Sequence, residues 1–188
     1  MGGTGWVSVD TWDTVFVRAG RRAVHEVVRE PRTWGGWWPG VRSGPARGEP
    51  GATVVVLRPP LLVARAVGRR QLLTVRVVED RPGLGVALAY RGTVTGEAEW
   101  FYLDEPAGCL VHYLVRARVP RHGWRRTVAE HRAAARAALL AVKDGLEGAR
   151  RPGDEPPSAL LAAQRVAQAE FRAGVEAWAR RARIEPDS

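Results

Sequence analysis

From about residue 70 to residue 119 apolar and polar side chains alternate with a period of two, and Pro- and Gly-bearing turns interrupt the alternation at short intervals. That period belongs to half-buried strands. The pattern predicts strands at roughly 42–47, 52–58, 70–79, 84–91, 95–103 and 109–119, preceded by one at 12–18. Residues 61–68 read either as a strand or as a connecting loop. "GEPGA" and "DRPGL" each offer Pro then Gly, the pair that a type II turn takes at its two central positions. Runs this close in sequence, joined by turns this short, pair antiparallel.

At Trp124 the period changes. Trp124, Val128, His131, Ala135, Ala138, Leu139, Val142 and Leu146 recur at three- and four-residue spacing, with no proline before Glu147. This predicts a helix with one apolar stripe over 124–147. "AGRRAVHEVVREP" predicts a short helix that Pro31 closes. "GARRPGDEPP" reads as a linker, and beyond it Leu160, Ala163, Ala167, Phe171, Val175, Trp178 and Ala182 form a second stripe with Ser158 as its cap. The expected division is an N-terminal extension at 1–11, a domain at 12–149, a linker at 150–157, and a helix at 158–183 that packs on the domain or on a partner chain.

Strand parity sorts the sheet into two faces. His112, Arg116, Arg118, Glu97, Glu99, Ala87, Ala89, Arg91, Thr74 and Arg76 fall on one. Val111, Tyr113, Val115, Trp100, Tyr102, Leu88, Tyr90, Leu73 and Val75 fall on the other. The first face is expected to be wet and the second to be covered by the 124–147 helix.

Three indoles in "TWGGWWPG", Trp34, Trp37 and Trp38, stand in a segment that reads locally as a turn. In "FVRAGRRAVHEVVREPRTWGGWWPGV", "VVEDRPGLGVALAYRGTVTGEAEWFYL", "GCLVHY" and "LLAVKDGLEG", the chain resembles the START-like (SRPBCC) superfamily, in its polyketide cyclase/dehydrase and lipid-transport branch. The resemblance covers about residues 12–149. It implies an α+β helix-grip fold: a seven-stranded curved antiparallel sheet around a long C-terminal helix, two short helices after the first strand, and a deep apolar cavity. The 158–183 helix is an addition to that fold. The Trp-rich segment would then lie at the cavity rim, where at least two indoles plug the open end of the sheet and the third touches ligand. Hiding one indole, about 200 Å² at about 25 cal/mol per Å², contributes at most roughly 5 kcal/mol.

Composition narrows the chemistry. Lys143 is the sole lysine among 29 basic residues, so part of the net charge of +9 is arginine-rich composition spread along the chain. The charge leaves room for an acidic protein or an anionic surface, but nucleic acid is not the expected partner. No apolar run is long enough to span a membrane, and the start lacks a signal-peptide pattern, so a cytoplasmic protein is expected. Cys109 is the single cysteine, which excludes an internal disulfide and a cysteine zinc cluster. No Gly-x-Ser-x-Gly elbow, His-Glu-x-x-His helix or complete dinucleotide fingerprint is present. Neither cofactor nor metal is expected.

What remains is an apolar cavity with polar tips. The expected ligand contacts are Trp34, Trp37 and Trp38 at the rim, then Leu73, Val75, Leu88, Tyr90, Trp100, Tyr102 and Tyr113 from the sheet. Val128, His131 and Ala135 come from the helix. His131 stands in an otherwise apolar stripe, either as a general acid/base or as a core histidine satisfied by a tyrosine or a carbonyl. His25 and His112 are expected to be solvated. The leading expectation is binding of a hydrophobic small molecule, a lipid or polyketide-like compound, for transport, sequestration or sensing. The alternative is an aromatase/cyclase or dehydrase with His131, Tyr90 and Tyr113 as catalytic groups. The family's cyclases carry an inward arginine, whereas parity sets the strand arginines of this chain outside.

Overall fold

Seven strands form one sheet in the order β1-β7-β6-β5-β4-β3-β2, every neighbouring pair antiparallel. They are β1 (Trp6–Val17), β2 (Val41–Pro45), β3 (Ala52–Leu57), β4 (Gln71–Arg81), β5 (Gly85–Gly92), β6 (Thr95–Glu105) and β7 (Gly108–Pro120). The helices are α1 (Arg21–Val28), α2 (Trp34–Trp37), entered through a 3₁₀ turn at Pro31–Thr33, and α3 (Trp124–Glu147). This computed structural model describes residues 5–58, 70–148, 162, 165, 166, 169, 170 and 172–174. The 61–68 segment, the 150–157 linker and most of the 158–183 stripe lie outside the described residues. The eight described residues of that last stretch are helical.

The two Pro-Gly turns close as the sequence expects. Ala52 N donates to Glu49 O at 3.1 Å and Leu84 N to Arg81 O at 2.8 Å. Gly51 and Gly83 take φ of 76° and 73°, the positive values a type II turn requires at that position. Parity also holds. Leu73, Val75, Val86, Leu88, Tyr90, Ala98, Trp100, Tyr102, Val111, Tyr113 and Val115 are all buried on the inner face. A bulge between Val77 and Glu79 shifts the β4–β5 register and bends the sheet there.

β1 begins at Trp6, so residues 6–11 belong to the sheet and not to an N-terminal extension. Their pairing is non-local: Trp6 lies opposite Pro120 and Thr11 opposite Val115. A ladder made with the far end of the chain sets this strand's length, and local composition does not reveal it.

α3 lies across the inner face against β1 and β7. Ala134, Ala135, Ala138, Leu139 and Val142 are its buried apolar residues. Two ionic anchors fix its rotation. Asp13, on the inner side of β1, accepts from Arg132 Nε and Nη2 at 3.1 and 2.9 Å and from Arg136 Nε at 2.8 Å. Glu147 accepts from Arg18 N at 2.8 Å and Lys143 Nζ at 2.6 Å. Both carboxylates are buried, so each needs these donors to offset lost hydration.

The outer face departs from the wet surface that parity alone suggests. His112 is only 5% exposed, and its Nδ1 sits 2.9 Å from Trp12 Nε1 and 2.8 Å from Thr14 Oγ1. Phe101 stacks on the same imidazole. The cross-strand neighbours Trp12, Thr14 and Phe101 roof it over, a contact that one strand's parity cannot show. His25 is not solvated either: it is on the buried face of α1, with Nε2 2.9 Å from Asp80 Oδ1.

Candidate functional site

A chain of hydrogen bonds crosses the interior between sheet and α3. Tyr90 and Tyr113 hydroxyls are 2.7 Å apart. Tyr113 Oη is 3.2 Å from His131 Nε2, and His131 Nδ1 is 3.2 Å from Gln71 Oε1. Gln71 Nε2 donates to Thr127 O at 2.9 Å. Each donor can be used once, which fixes the direction. Gln71 presents its carbonyl oxygen to His131, so Nδ1 carries the proton and Nε2 accepts from Tyr113. Tyr113 in turn accepts from Tyr90. The chain therefore ends on the Tyr90 oxygen, which keeps acceptor capacity.

Burial sets the protonation states. Desolvation pushes His131 down to about 4, against a smaller upward pull from Asp13, so the imidazole is neutral near pH 7. Burial raises Tyr90 despite its bond to Tyr113. Tyr113 rises well above the ordinary phenol value, through burial and then the adjoining Tyr90. Both hydroxyls stay protonated. Burial, then the neighbouring Asp104 charge, pushes the Cys109 thiol up to about 12, leaving no thiolate nucleophile.

The indole segment packs against this chain. Trp34 Nε1 donates to Val28 O and Trp38 Nε1 to Ala134 O, both at 2.9 Å. Both rings are buried and meet Trp100, while Trp38 also meets Tyr113 edge-on at 5.9 Å between centroids. Trp34 and Trp38 are therefore core residues, and Trp37 is left half-buried against them. Trp38 reaches α3 through Ala134 O and the sheet through Trp100 and Tyr113, so its ring packs between the two. A crevice of about 10 Å³ beside His131, Val128, Val115 and Val94 has room for about one water.

The expected contacts divide accordingly. Leu73, Val75, Leu88 and Ala135 are buried wall, and Val128 is half-buried at the crevice. Tyr90, Tyr113 and His131 come together, with His131 satisfied by a tyrosine. Tyr102 stands apart from that chain, edge-on to His25 at 6.0 Å. Gln71 is the member that sequence reasoning passes over. Its signal is the one that marks His131, a polar residue in an apolar row, because parity sets it with Leu73 and Val75.

Trp37 Nε1, Trp100 Nε1 and Tyr102 Oη are among the buried side-chain atoms that have no hydrogen-bond partner within the described residues. Trp100 and Tyr102 are successive inward residues of β6, and the Trp37 ring lies 6.2 Å from the Trp100 ring. Two of these donors stand on inward residues of β6, and the third belongs to α2 beside Trp100. Among the described residues no cluster of His, Cys, Asp or Glu could hold a metal ion.

An α+β sheet gripping a long helix defines the helix-grip class, and solved structures share it with this chain at low identity. The di-domain ARO/CYC StfQ from the steffimycin biosynthetic pathway superposes with a TM-score of 0.54 at 14% identity over 72% of this chain. The Zhui aromatase/cyclase from Streptomyces sp. R1128 gives 0.53 at 16%, covering 79% of this chain and 100% of that one. The protein XoxI from Bacillus cereus gives 0.55 at 11%, covering 72% and 94%. The chain spans 50% of the StfQ chain, about half of a two-domain protein. At these identities the likeness is one of fold. No family model matches the chain, and no curated protein matches it.

Proposed function

We propose that the chain binds an apolar small molecule bearing hydrogen-bond acceptors, a lipid or polyketide-like compound, between the sheet and α3. The observation that carries this reading is the presence of unanswered donors at Trp37, Trp100 and Tyr102. A buried donor left unpaired costs roughly 1–3 kcal/mol, and two on β6 with a third on α2 are best answered by acceptors that a ligand brings. Room for it comes from displacing the α2 indoles, since Trp37 is the least buried of them and α2 is a single turn. Native mass spectrometry of protein isolated without denaturation should detect a bound apolar compound, and Trp100→Phe should weaken its retention. Isolation of ligand-free protein that also takes up no lipid or aromatic polyketone from a panel would sink the proposal.

A second reading has its own support. The neutral His131 imidazole and two protonated phenols form a proton-handling chain in a dry interior, and StfQ and Zhui are an ARO/CYC and an aromatase/cyclase. For catalysis, Tyr113 would have to move off His131 Nε2 so that this nitrogen accepts a substrate proton, while the phenols hold enol oxygens. The two readings separate on His131→Ala: ligand retention with loss of turnover marks an enzyme, and unchanged retention with no turnover in either protein marks a carrier.

A further inference from the structure

At the end of the sheet where α3 begins, the arginines are not answered by acids. The β1 start, the β7–α3 turn, the β5–β6 turn and the β4 start converge there. Trp6 lies opposite Pro120, Thr95 opposite Arg118, Thr93 N donates to Leu72 O, and Gln71 Nε2 reaches Thr127 O. Across residues 5–8, 70–72, 92–95 and 117–130 the single acid is Glu130, which is buried and takes Arg126 Nε at 2.7 Å. Arg70, Arg118, Arg121 and Arg125 are exposed and form no ion pair among the described residues. At the α1 end, by contrast, Arg21, Arg22, Arg29 and Arg81 each face a carboxylate. Spread-out arginine composition predicts no such asymmetry.

Two further features point the same way. α3 has Gly123 as its N-cap, with no side-chain cap and no acid in its first turn, so the positive end of its dipole adds to the arginines. Apolar groups stand among the charges: Trp6 is 50% exposed, Leu72 is 55% exposed, and Arg125 lies 5.4 Å above the half-buried Trp124 ring. Indoles beside arginines suit the interfacial layer of a bilayer, where the charge meets headgroups and the ring meets the acyl boundary. We infer that this rim docks on an anionic lipid surface. An acidic protein would answer the arginines but gives the exposed Trp6 and Leu72 no comparable environment. The inference goes beyond the ligand reading and stands without it, because vesicle binding requires no apolar ligand inside.

The test is co-sedimentation of the full chain with vesicles of phosphatidylcholine, with and without phosphatidylglycerol. Binding should need phosphatidylglycerol and weaken steeply with salt. Arg121→Glu/Arg125→Glu should lower partitioning at least about tenfold. The same charge change on the far edge, Arg42→Glu/Arg47→Glu, should have a small effect. Trp6→Ala should remove the part of binding that survives high salt. If far-UV circular dichroism shows the rim reversal disturbing the fold, Arg121→Gln/Arg125→Gln gives the same readout with a smaller drop. Wild-type protein that stays in the supernatant at low salt would overturn the inference. So would equal losses in the rim and far-edge variants, or retention on polyglutamate resin without vesicle binding, which would assign the rim to an acidic protein.

Discussion

At the scale of single residues the interior is governed by polar groups in apolar rows. His131 is visible in the sequence because a 3.6-residue stripe of Val, Ala and Leu contains it. Gln71 is equally deducible from strand parity, yet a lone Gln at a strand start gives little reason to look. The directed chain from Tyr90 to Thr127 O could not be read from the sequence, because it depends on which rings meet across a sheet and a helix. Tyr113→Phe removes its middle link and leaves His131 Nε2 buried without a donor. We predict a loss of roughly 1–3 kcal/mol in urea unfolding, where a side chain that merely packs would cost far less. Cys109, buried with a raised thiol, should resist thiol-specific reagents at pH 8 in the native state and react at once in denaturant. Rapid labelling of the folded protein would contradict its burial.

Among the elements, periodicity and turn chemistry carried most of the information. The Pro-Gly turns, the inward parity of β4–β7 and the α3 stripe are local properties, so they are legible. The first half of β1, the bulge in β4, and the burial of His25 and His112 depend on partners distant in sequence, so they are not. Asp13 shows the same limit. It reads as a polar interruption in a strand, but it is the anchor that sets how α3 lies on β1. Replacing it by Asn keeps the shape and removes the charge that holds Arg132 and Arg136. Because both arginines can turn to water, the expected cost is about 1–3 kcal/mol in denaturant midpoint, without loss of helix content. Trp38→Ala should cost more, roughly 3–5 kcal/mol, because it leaves a cavity beside Trp100 and Tyr113 and frees Ala134 O. If that variant is as stable as wild type, the indole does not contribute to the core as its burial implies.

For the whole molecule, the buried ionisable groups predict a two-sided dependence of stability on pH. His131 is held at about 4 against an ordinary value of 6.5, so between these values the unfolded chain binds the extra proton. Its contribution is present above pH 6.5 and is lost as pH falls toward 4, up to about 3 kcal/mol. Asp13 and Glu147 add to the acid side. Burial pushes both upward, but the Arg132 and Arg136 guanidiniums, and the Lys143 amine with Arg18 N–H, hold them below their usual values. Their share is lost only below the ordinary carboxylate range, so acid unfolding should show an early histidine phase and a later carboxylate phase. Asp104, raised mainly by burial, binds its proton first in the folded state as pH falls toward the ordinary carboxylate value, so it offsets part of the earlier loss and not the second phase. On the alkaline side Cys109, Tyr90, Tyr102 and Tyr113 are all raised, so the unfolded chain ionises first and stability declines as pH climbs through 9 and 10. Stability should therefore plateau between about pH 6.5 and 9. His131→Gln should reduce the decline between pH 6.5 and 4, leaving the share of His112, which burial also lowers, and should not change the alkaline limb, whereas Tyr113→Phe should soften the alkaline limb. Both are read from urea midpoints across the pH range. A histidine variant that keeps the wild-type acid slope would mean that His131 does not sit neutral in a dry interior, and the hydrogen-bond chain built on it would fail with it.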